Sequence, residues 1–374
     1  MDRRLRHPVR CLALAVLAVF ETGAGAVEQQ RPLESSRFLG RGNTYVAAWD
    51  SDEATRGNPA TLSEANVKFQ LRWLQMDVMV GENTMDTVSE AMDLASTAEV
   101  SPISILETFA DKFGKQQYLR AQVSPLALRI LNFEFSPFLS STSFVDMRVP
   151  TTPDVQFRSD TMAGANFAFA FDVGKTLNLG LTMRPAHRTV IAGDIQFSDL
   201  LTFVEDSDGA VDDVFKKEEG FQIGWDVGGI WRPGKDWRFG LLVENLGYAG
   251  NYSDFKDPPN PYQQRVNLGL AYRVDWKPWH WDMFADVHDL ANPEQLDYFR
   301  LINLGTELGR SYVSRDHDLG LLLGLNEGYF TAGTFIDLWV TRLTMTYYAV
   351  ELGEYAGQRS DRRWALTMLT SMTF

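Results

Sequence analysis

Apolar and polar side chains alternate with a period of two through most of the second half of this chain. Phe221, Ile223, Trp225, Val227 and Trp231 fall on one face of a segment whose other face carries Gln222, Gly224, Asp226 and Gly228. Such alternation marks a strand with two different environments on its two faces. The turn Arg232–Asp236 leads to the next strand, Trp237–Asn245. In Gln264–Trp276, Val266, Leu268, Leu270, Tyr272, Val274 and Trp276 oppose Arg265, Asn267, Gly269, Ala271, Arg273 and Asp275. The pattern recurs after Lys277-Pro278 and continues through Ile302–Val313, His317–Asn326, Phe330–Trp339 and Thr341–Leu352. In the final strand Trp364, Leu366, Met368, Thr370, Met372 and Phe374 share a face. The segments are about nine to thirteen residues long, the length of a tilted strand that crosses a hydrocarbon core.

The first half is less regular. Val67–Val80 alternates, with a phase shift near Leu74 that predicts a bulge. Strands resume at Tyr118–Phe133, Phe135–Val149, Phe157–Val173 and Leu177–Arg184. Between them, Asp86–Lys115 has helical spacing and reads as two short helices. Val88, Ala91, Met92 and Ala95 form one stripe; Ile105, Leu106, Phe109 and Phe113 form another, behind Pro102 at a permitted first-turn position. These helices do not belong in a lipid-facing wall, so they plug the lumen, cap a mouth or pack outside the bilayer. The expected fold is all-β: an antiparallel transmembrane β-barrel of about 12–14 strands, because a strand-based structure survives in lipid only when closed.

The N-terminus has the form of a secretory leader. Arg3, Arg4, Arg6 and Arg10 precede the apolar run Cys11–Phe20, and Ala24-Gly25-Ala26 fits the cleavage rule. The bland alternative is a short N-terminal helix. The expected division is 1–26 leader, 27–66 N-terminal segment and 67–374 barrel with the helical insertion 86–115. The only cysteine, Cys11, lies in the leader, which excludes disulfides, thiol chemistry and cysteine–zinc sites from a mature chain. Acidic residues exceed basic ones, 49 to 35. Removing the leader's four arginines and two acids leaves 47 to 31, a balance of −16 that argues against nucleic-acid binding. The 24 Phe, 12 Tyr, 10 Trp and 29 Gly suit a barrel with aromatic girdles, and also a large soluble β-protein.

Catalytic and metal signals are weak. His280 and His288 share a strand face but stand eight residues, roughly 27 Å, apart, too far for one ion. Glu205-Asp206-Ser207-Asp208-Gly209 lacks the full calcium-loop signature and reads as a solvated loop. No Gly-x-Ser-x-Gly, phosphate loop or dinucleotide fingerprint occurs. No enzyme activity, metal or cofactor is expected. Charged residues in the strands, among them Arg184, Arg188, Arg273, Asp275, Asp286 and Asp289, are expected to face the lumen or a loop, as a structural network or along a substrate path, because charge in lipid is costly.

Gly40–Asp50 followed by Gly57-Asn58-Pro59-Ala60-Thr61-Leu62 resembles the N-terminal signature of the FadL-like outer-membrane barrels. That group includes long-chain fatty-acid transporters, PorV-type secretion barrels and conjugal-transfer TraF-like barrels. Further similarities run in order: Gly240–Glu244 into Asn245-Leu246-Gly247, Pro261-Tyr262 before Arg265–Tyr272, Asn303–Glu307, Gly324–Tyr329, and Tyr347, Tyr348, Glu351, Leu352 and Gly353. Arg56-Gly57 departs from the aromatic pair that commonly precedes Asn-Pro-Ala. The resemblance implies a Gram-negative outer membrane, passive uptake of hydrophobic small molecules, and a hatch-like N-terminal segment with Asn58, Pro59 and Ala60 as gating candidates. It also leaves open a non-catalytic interaction barrel for secretion or conjugation. From the residues alone, Asn58-Pro59-Ala60 is a short fixed loop, either tucked into the barrel or an ordinary turn before the first strand. Phe374, a terminal aromatic on an alternating strand, resembles the signal read by the outer-membrane assembly machinery. The partners implied are outer-membrane lipid, that machinery, and a hydrophobic ligand or a protein.

Overall fold

The computed structural model describes residues 31–64, 67–95, 114–148, 154–196, 216–247, 262–291, 297–311, 318–353 and 355–374. The expected leader, the second expected helix and the acidic loop at 205–213 lie outside the described residues. Among the described residues fifteen strands follow in order: β1 (Phe69–Gly81), β2 (Gln116–Ser124), β3 (Ala127–Ile130), β4 (Phe133–Arg148), β5 (Asp154–Val173), β6 (Leu177–Gln196), β7 (Lys216–Trp231), β8 (Trp237–Leu246), β9 (Arg265–Trp276), β10 (Trp279–Val287), β11 (Ile302–Ser311), β12 (Asp318–Asn326), β13 (Tyr329–Leu338), β14 (Thr341–Glu351) and β15 (Ser360–Thr373). Every pairing is antiparallel between neighbours, and β15 pairs back onto β1. β2 and β3 both lie between β1 and β4 and together make one interrupted stave. The result is a closed barrel of 14 staves with one extra strand, and closure removes the free sheet edge.

The alternation read from the sequence sorts the faces. On β15, Trp364 and Leu366 are exposed while Asp361, Arg363, Ala365 and Thr367 are buried. On β8, Trp237, Phe239 and Leu241 point outward, with Arg238, Leu242 and Glu244 inward. The four exposed leucines of β12 (319, 321, 323, 325) flank inward Gly320, Leu322 and Gly324. The outside is therefore apolar and the inside polar, the inverse of a water-soluble protein and the arrangement a barrel in lipid requires. Among the described residues no helix is long and apolar enough to cross a membrane.

Three local features differ from the sequence reading. Helix α2 (Glu82–Ala95) starts four residues before the expected position, directly from the end of β1. Thr84 explains the abrupt start: its hydroxyl accepts from Tyr118 N (2.8 Å) and donates to Tyr118 O (3.0 Å), tying the helix to β2. The stave expected over 118–133 is split at Pro125-Leu126 and ends at a turn where Leu131 takes φ 53°. β6 does not stop before Pro185 but runs on to Gln196. Proline has no N–H to give, yet Pro185 stays in register with Ile223 of β7. The bulge expected near Leu74 is present between Arg72 and Leu74.

Candidate functional site: the occupied lumen

Residues 31–64 form helix α1 (Ser36–Gly40) and two short 3-10 turns, Ser51–Glu53 and Pro59–Ser63. None of residues 31–64 is exposed. Their partners stand on staves all round the barrel: Asp77 on β1, Arg120 on β2, Arg129 on β3, Glu134 on β4, Asn178 on β6, Glu244 on β8, Asp286 on β10, Glu307 on β11, Thr331 on β13 and Arg342 on β14. Only a segment inside the ring reaches all of them, so this segment fills the lumen.

Its anchors are charged. Arg37 and Arg41 face Asp50 and Glu307, an alternating square in which Arg37 meets Asp50 at 3.0 Å and Arg41 meets Glu307 at 3.0 Å; Arg41–Asp50 and Arg37–Glu307 close it. Arg31 pairs with Glu244 at 2.7 Å, Glu34 with Arg120 at 3.0 Å, and Arg56 with Asp77 at 2.5 Å. The Asp286 carboxylate accepts from the N–H groups of Tyr45 (2.7 Å) and Val46 (2.9 Å), and Tyr45 donates its hydroxyl to Glu244 at 2.8 Å. Trp49 lies between Arg238 and Arg273, with their guanidinium carbons 4.8 and 4.3 Å from its ring centre. Such buried pairs add little net stability when intact, but removing one partner strands a charge at a cost of about 3–5 kcal/mol. They act as positional locks. Within the segment, burial opposes ionisation of Asp52, but Arg342, Arg37 and Arg72 outweigh it and hold its carboxyl at about 2. Burial and the neighbouring Asp52 push the Glu53 carboxyl up.

Asn58, Pro59 and Ala60 sit at the floor of this arrangement, in a loop tucked into the barrel. The Asn58 carboxamide oxygen accepts from Ala60 N at 3.1 Å, and its nitrogen donates to Val46 O (2.7 Å), Leu241 O (3.2 Å) and Gly229 O (3.3 Å). Inward glycines make room for this close backbone approach. A Cβ on Gly228 would overlap Asn58 Oδ1, and one on Gly305 would overlap Arg41 O. Leu62 packs with Ala54, Ala168 and Ala170. Phe374 lies at the closing pair, donating its N–H to Phe69 O at 2.8 Å, with the two rings 5.7 Å apart.

The opposite wall is looser. Pro125 and Leu126 interrupt the second stave, and Pro137 stands beside them on β4. The β5–β6 ladder stops after Gly164–Ala186 and resumes at Phe167–Met183, skipping Pro185. With the β1 irregularity between Arg72 and Leu74, the ladder is broken at neighbouring positions on β1, between β2 and β3, and between β5 and β6, while β4 and β5 stay in continuous register. Inside this interrupted wall lies an apolar cluster: Leu33, Phe138, Met162, Ala186 and Tyr262. Charged pairs surround it, notably Arg188–Asp160 and Arg184–Asp226.

The lumenal charges Arg184, Arg188, Arg273 and Asp286 were legible as inward-facing. The lock residues of the lumenal segment were not singled out, although Arg41, Asp50, Glu244 and Glu307 all stand inside the motifs that carried the resemblance. The distant histidines remain apart. His280, Asp282 and Glu307 do bring ligand atoms within 4.8 Å of one another, but Glu307 is taken by Arg37 and Arg41, and Asp282 by Arg273 at 2.6 Å. The trio belongs to the ion-pair network.

No protein-family model and no curated protein matches the chain. Solved structures do. A monoaromatic hydrocarbon channel, CymD, superposes with a TM-score of 0.52 at 12% identity, over 91% of this chain and 97% of its own. The Ralstonia pickettii toluene transporter TbuX gives 0.50 at 9%, over 91% and 98%. A Pseudomonas aeruginosa FadL homologue gives 0.50 at 10%, over 92% and 98%. The fold is the one that these barrels share. At these identities the likeness establishes architecture; chemistry must come from the lumen itself.

Proposed function

We propose that this chain is a non-catalytic barrel of the Gram-negative outer membrane that lets small hydrophobic molecules diffuse inward. The observation that carries this reading is the apolar cluster Leu33–Phe138–Met162–Ala186–Tyr262 lying against the band of interrupted wall. A solute that rests on that cluster stands next to a stretch of wall where the main-chain ladder is interrupted, and leaves sideways. The axial route is shut by the lumenal segment and its ion pairs. The channel and transporter names of the neighbouring structures agree with this reading. In the same proposal residues 1–26 are a cleaved leader, 27–66 are the hatch-like closure, 67–374 are the barrel with the 86–115 insertion, Asn58, Pro59 and Ala60 set permeability at the floor, and Phe374 serves recognition by the assembly machinery.

The test is uptake by intact cells that lack other barrels of this kind, using N-phenylnaphthylamine, which an intact outer leaflet excludes. Expression should raise the initial rate, and Phe138→Asp should return it to the barrel-free level while the heat-modifiable gel shift of a folded barrel persists. Wild-type uptake no faster than in barrel-free cells would sink the reading. Replacing Asn58-Pro59-Ala60 by three glycines should change permeability; unchanged flux counts against a role for that loop. A second reading, an interaction barrel for secretion or conjugation, is favoured by the density of locks on the lumenal segment. A stoichiometric protein partner after gentle purification, with no co-purified lipid, would support it.

A further inference from the structure

At the Glu351 end of β14, one carboxylate organises the connection to β15. Glu351 accepts from the main-chain N–H groups of Gly353 (2.7 Å), Gly357 (2.7 Å), Gln358 (3.0 Å) and Arg359 (2.7 Å), and from the Tyr329 hydroxyl (2.5 Å). Arg300, on helix α3 (Tyr298–Leu301) between β10 and β11, donates to Gly353 O at 2.6 Å and Glu351 O at 3.1 Å. A loop with its donors gathered on one internal acceptor holds its shape without outside help. It is then tied at its far end. Arg359 Nη2 lies 2.5 Å from Asp146 Oδ1. Asp146 is an inward residue near the Arg148 end of β4, paired in register with Gln116 of β2. Between β15 and β4 stand β1 and β2, so the Arg359–Asp146 pair spans the inner face of both staves.

Beneath that span lies a second apolar cluster: Leu39, Met79, Tyr118, Tyr348, Val350 and Ala365. Arg363 stacks over the Tyr118 ring, 3.4 Å from its centre. The two ends of the span differ in wetness: the Arg359 side chain is 36% exposed and Asp146 is 9% exposed. A pair with one hydrated end is weakened by salt and breaks at little cost, unlike the buried locks below it.

We infer that residues 352–353 and 355–359 form a strap over the outer mouth, latched by Arg359 to Asp146, and that releasing this latch sets how fast solutes reach the lumen. The inference rests on the uptake reading for its transport consequence, but its geometry is testable without it. The only cysteine, Cys11, lies in the proposed leader, so a pair introduced by Asp146→Cys and Arg359→Cys is unique once that leader is removed. Joining them in intact cells with a short, reducible bis-thiosulfonate should lower N-phenylnaphthylamine uptake severalfold, and reductant should restore it. Arg359→Gln, at a half-wet position, should raise uptake while the gel shift of the folded barrel is kept. Equal uptake before and after cross-linking would overturn the strap. If wild-type uptake does not exceed that of barrel-free cells, the transport reading fails and a second measurement decides the strap. Ala365→Cys, lumenal and nearly isosteric, is reacted from outside with an impermeant maleimide. Labelling should speed up severalfold when Arg359→Gln is added, and equal rates in the two backgrounds would refute the strap whatever the barrel carries.

Discussion

The two sides of this barrel are built to opposite ends. From β8 round to β14 the wall is a regular ladder whose inward face receives the lumenal segment: glycines admit its backbone, and Glu244, Asp286, Glu307 and Arg342 hold its side chains and N–H groups. From β1 to β6 the wall carries a bulge, three proline positions and a skipped register, and its inward face shows the apolar cluster at Phe138. Both sides hold the closure, the second through Asp77, Arg120 and Glu134, but that second side also breaks its main-chain ladder at neighbouring positions. A barrel need not move its closure to admit a solute, provided that rigidity and weakness are segregated around the ring.

Unseating the closure should have the largest effect. Gly305→Val drives a branched side chain into Arg41 O, and Glu307→Ala leaves Arg37 and Arg41 with half their counter-charge. The latter removal costs about 3–5 kcal/mol, and the former adds overpacking of about 1–3 kcal/mol to the displaced contacts. Both should lower the temperature of the heat-modifiable gel transition and raise single-channel conductance in planar bilayers. Gly234→Ala, in a turn with no atom near its would-be Cβ, should do neither. Conductance unchanged in both variants would show that the segment does not close the lumen.

Stiffening the weak side is the next largest effect. Pro125→Val with Pro137→Val supplies two N–H groups to the interrupted band, each worth about 1 kcal/mol if it finds a carbonyl. The barrel should become more heat-resistant while uptake of the hydrophobic probe falls. A rise in stability with undiminished uptake would mean that solutes do not leave through this wall. Asn58→Ala should have a smaller consequence. It removes the cap on the 3-10 turn and the donor to three carbonyls, for about 1–2 kcal/mol of seating. A small leak in conductance without loss of the folded band is the expected readout.

How much of this was legible in the residues follows the same division. The regular side announces itself, because alternating faces such as Val266–Trp276 against Arg265–Asp275 need only period two to be read. The interrupted side does not. Pro185 reads locally as a strand end, and only the non-local register with Ile223 shows that β6 continues through it. Pro125 was hidden inside an apolar run for the same reason: whether a missing N–H ends a strand depends on its neighbour across the sheet. Asn58–Ala60 was legible as a fixed loop. Its contacts with Leu241 O and Gly229 O are separated from it by more than a hundred residues and leave no local trace. The lock residues were visible as motif letters, but their pairing is a property of the closed ring.

The finest probe of the closure is its response to pH, because Asp52 and Glu53 are pushed in opposite directions. Burial opposes charge on Asp52, yet Arg342, Arg37 and Arg72 hold it ionised down to about 2. A lowered carboxyl contributes stability that is present above its ordinary value and lost as pH falls through about 2. Glu53 is raised, first by burial and then by Asp52. Its folded-state preference for the proton therefore favours the fold below its ordinary value and is lost as pH rises through the raised one. Glu53→Gln should accordingly raise the gel-transition temperature by a few degrees at pH 7, with the gain vanishing at pH 4. Asp52→Asn should lower it at pH 7, with the deficit shrinking only in stronger acid. The Asp52 side chain is about a quarter exposed, at 24%, so solvent screening keeps its effect the smaller of the two. If both substitutions shifted stability in the same direction at neutral pH, the charge arrangement of the 3-10 turn at Ser51–Glu53 would be wrong, and with it the role of these ion pairs as positional locks.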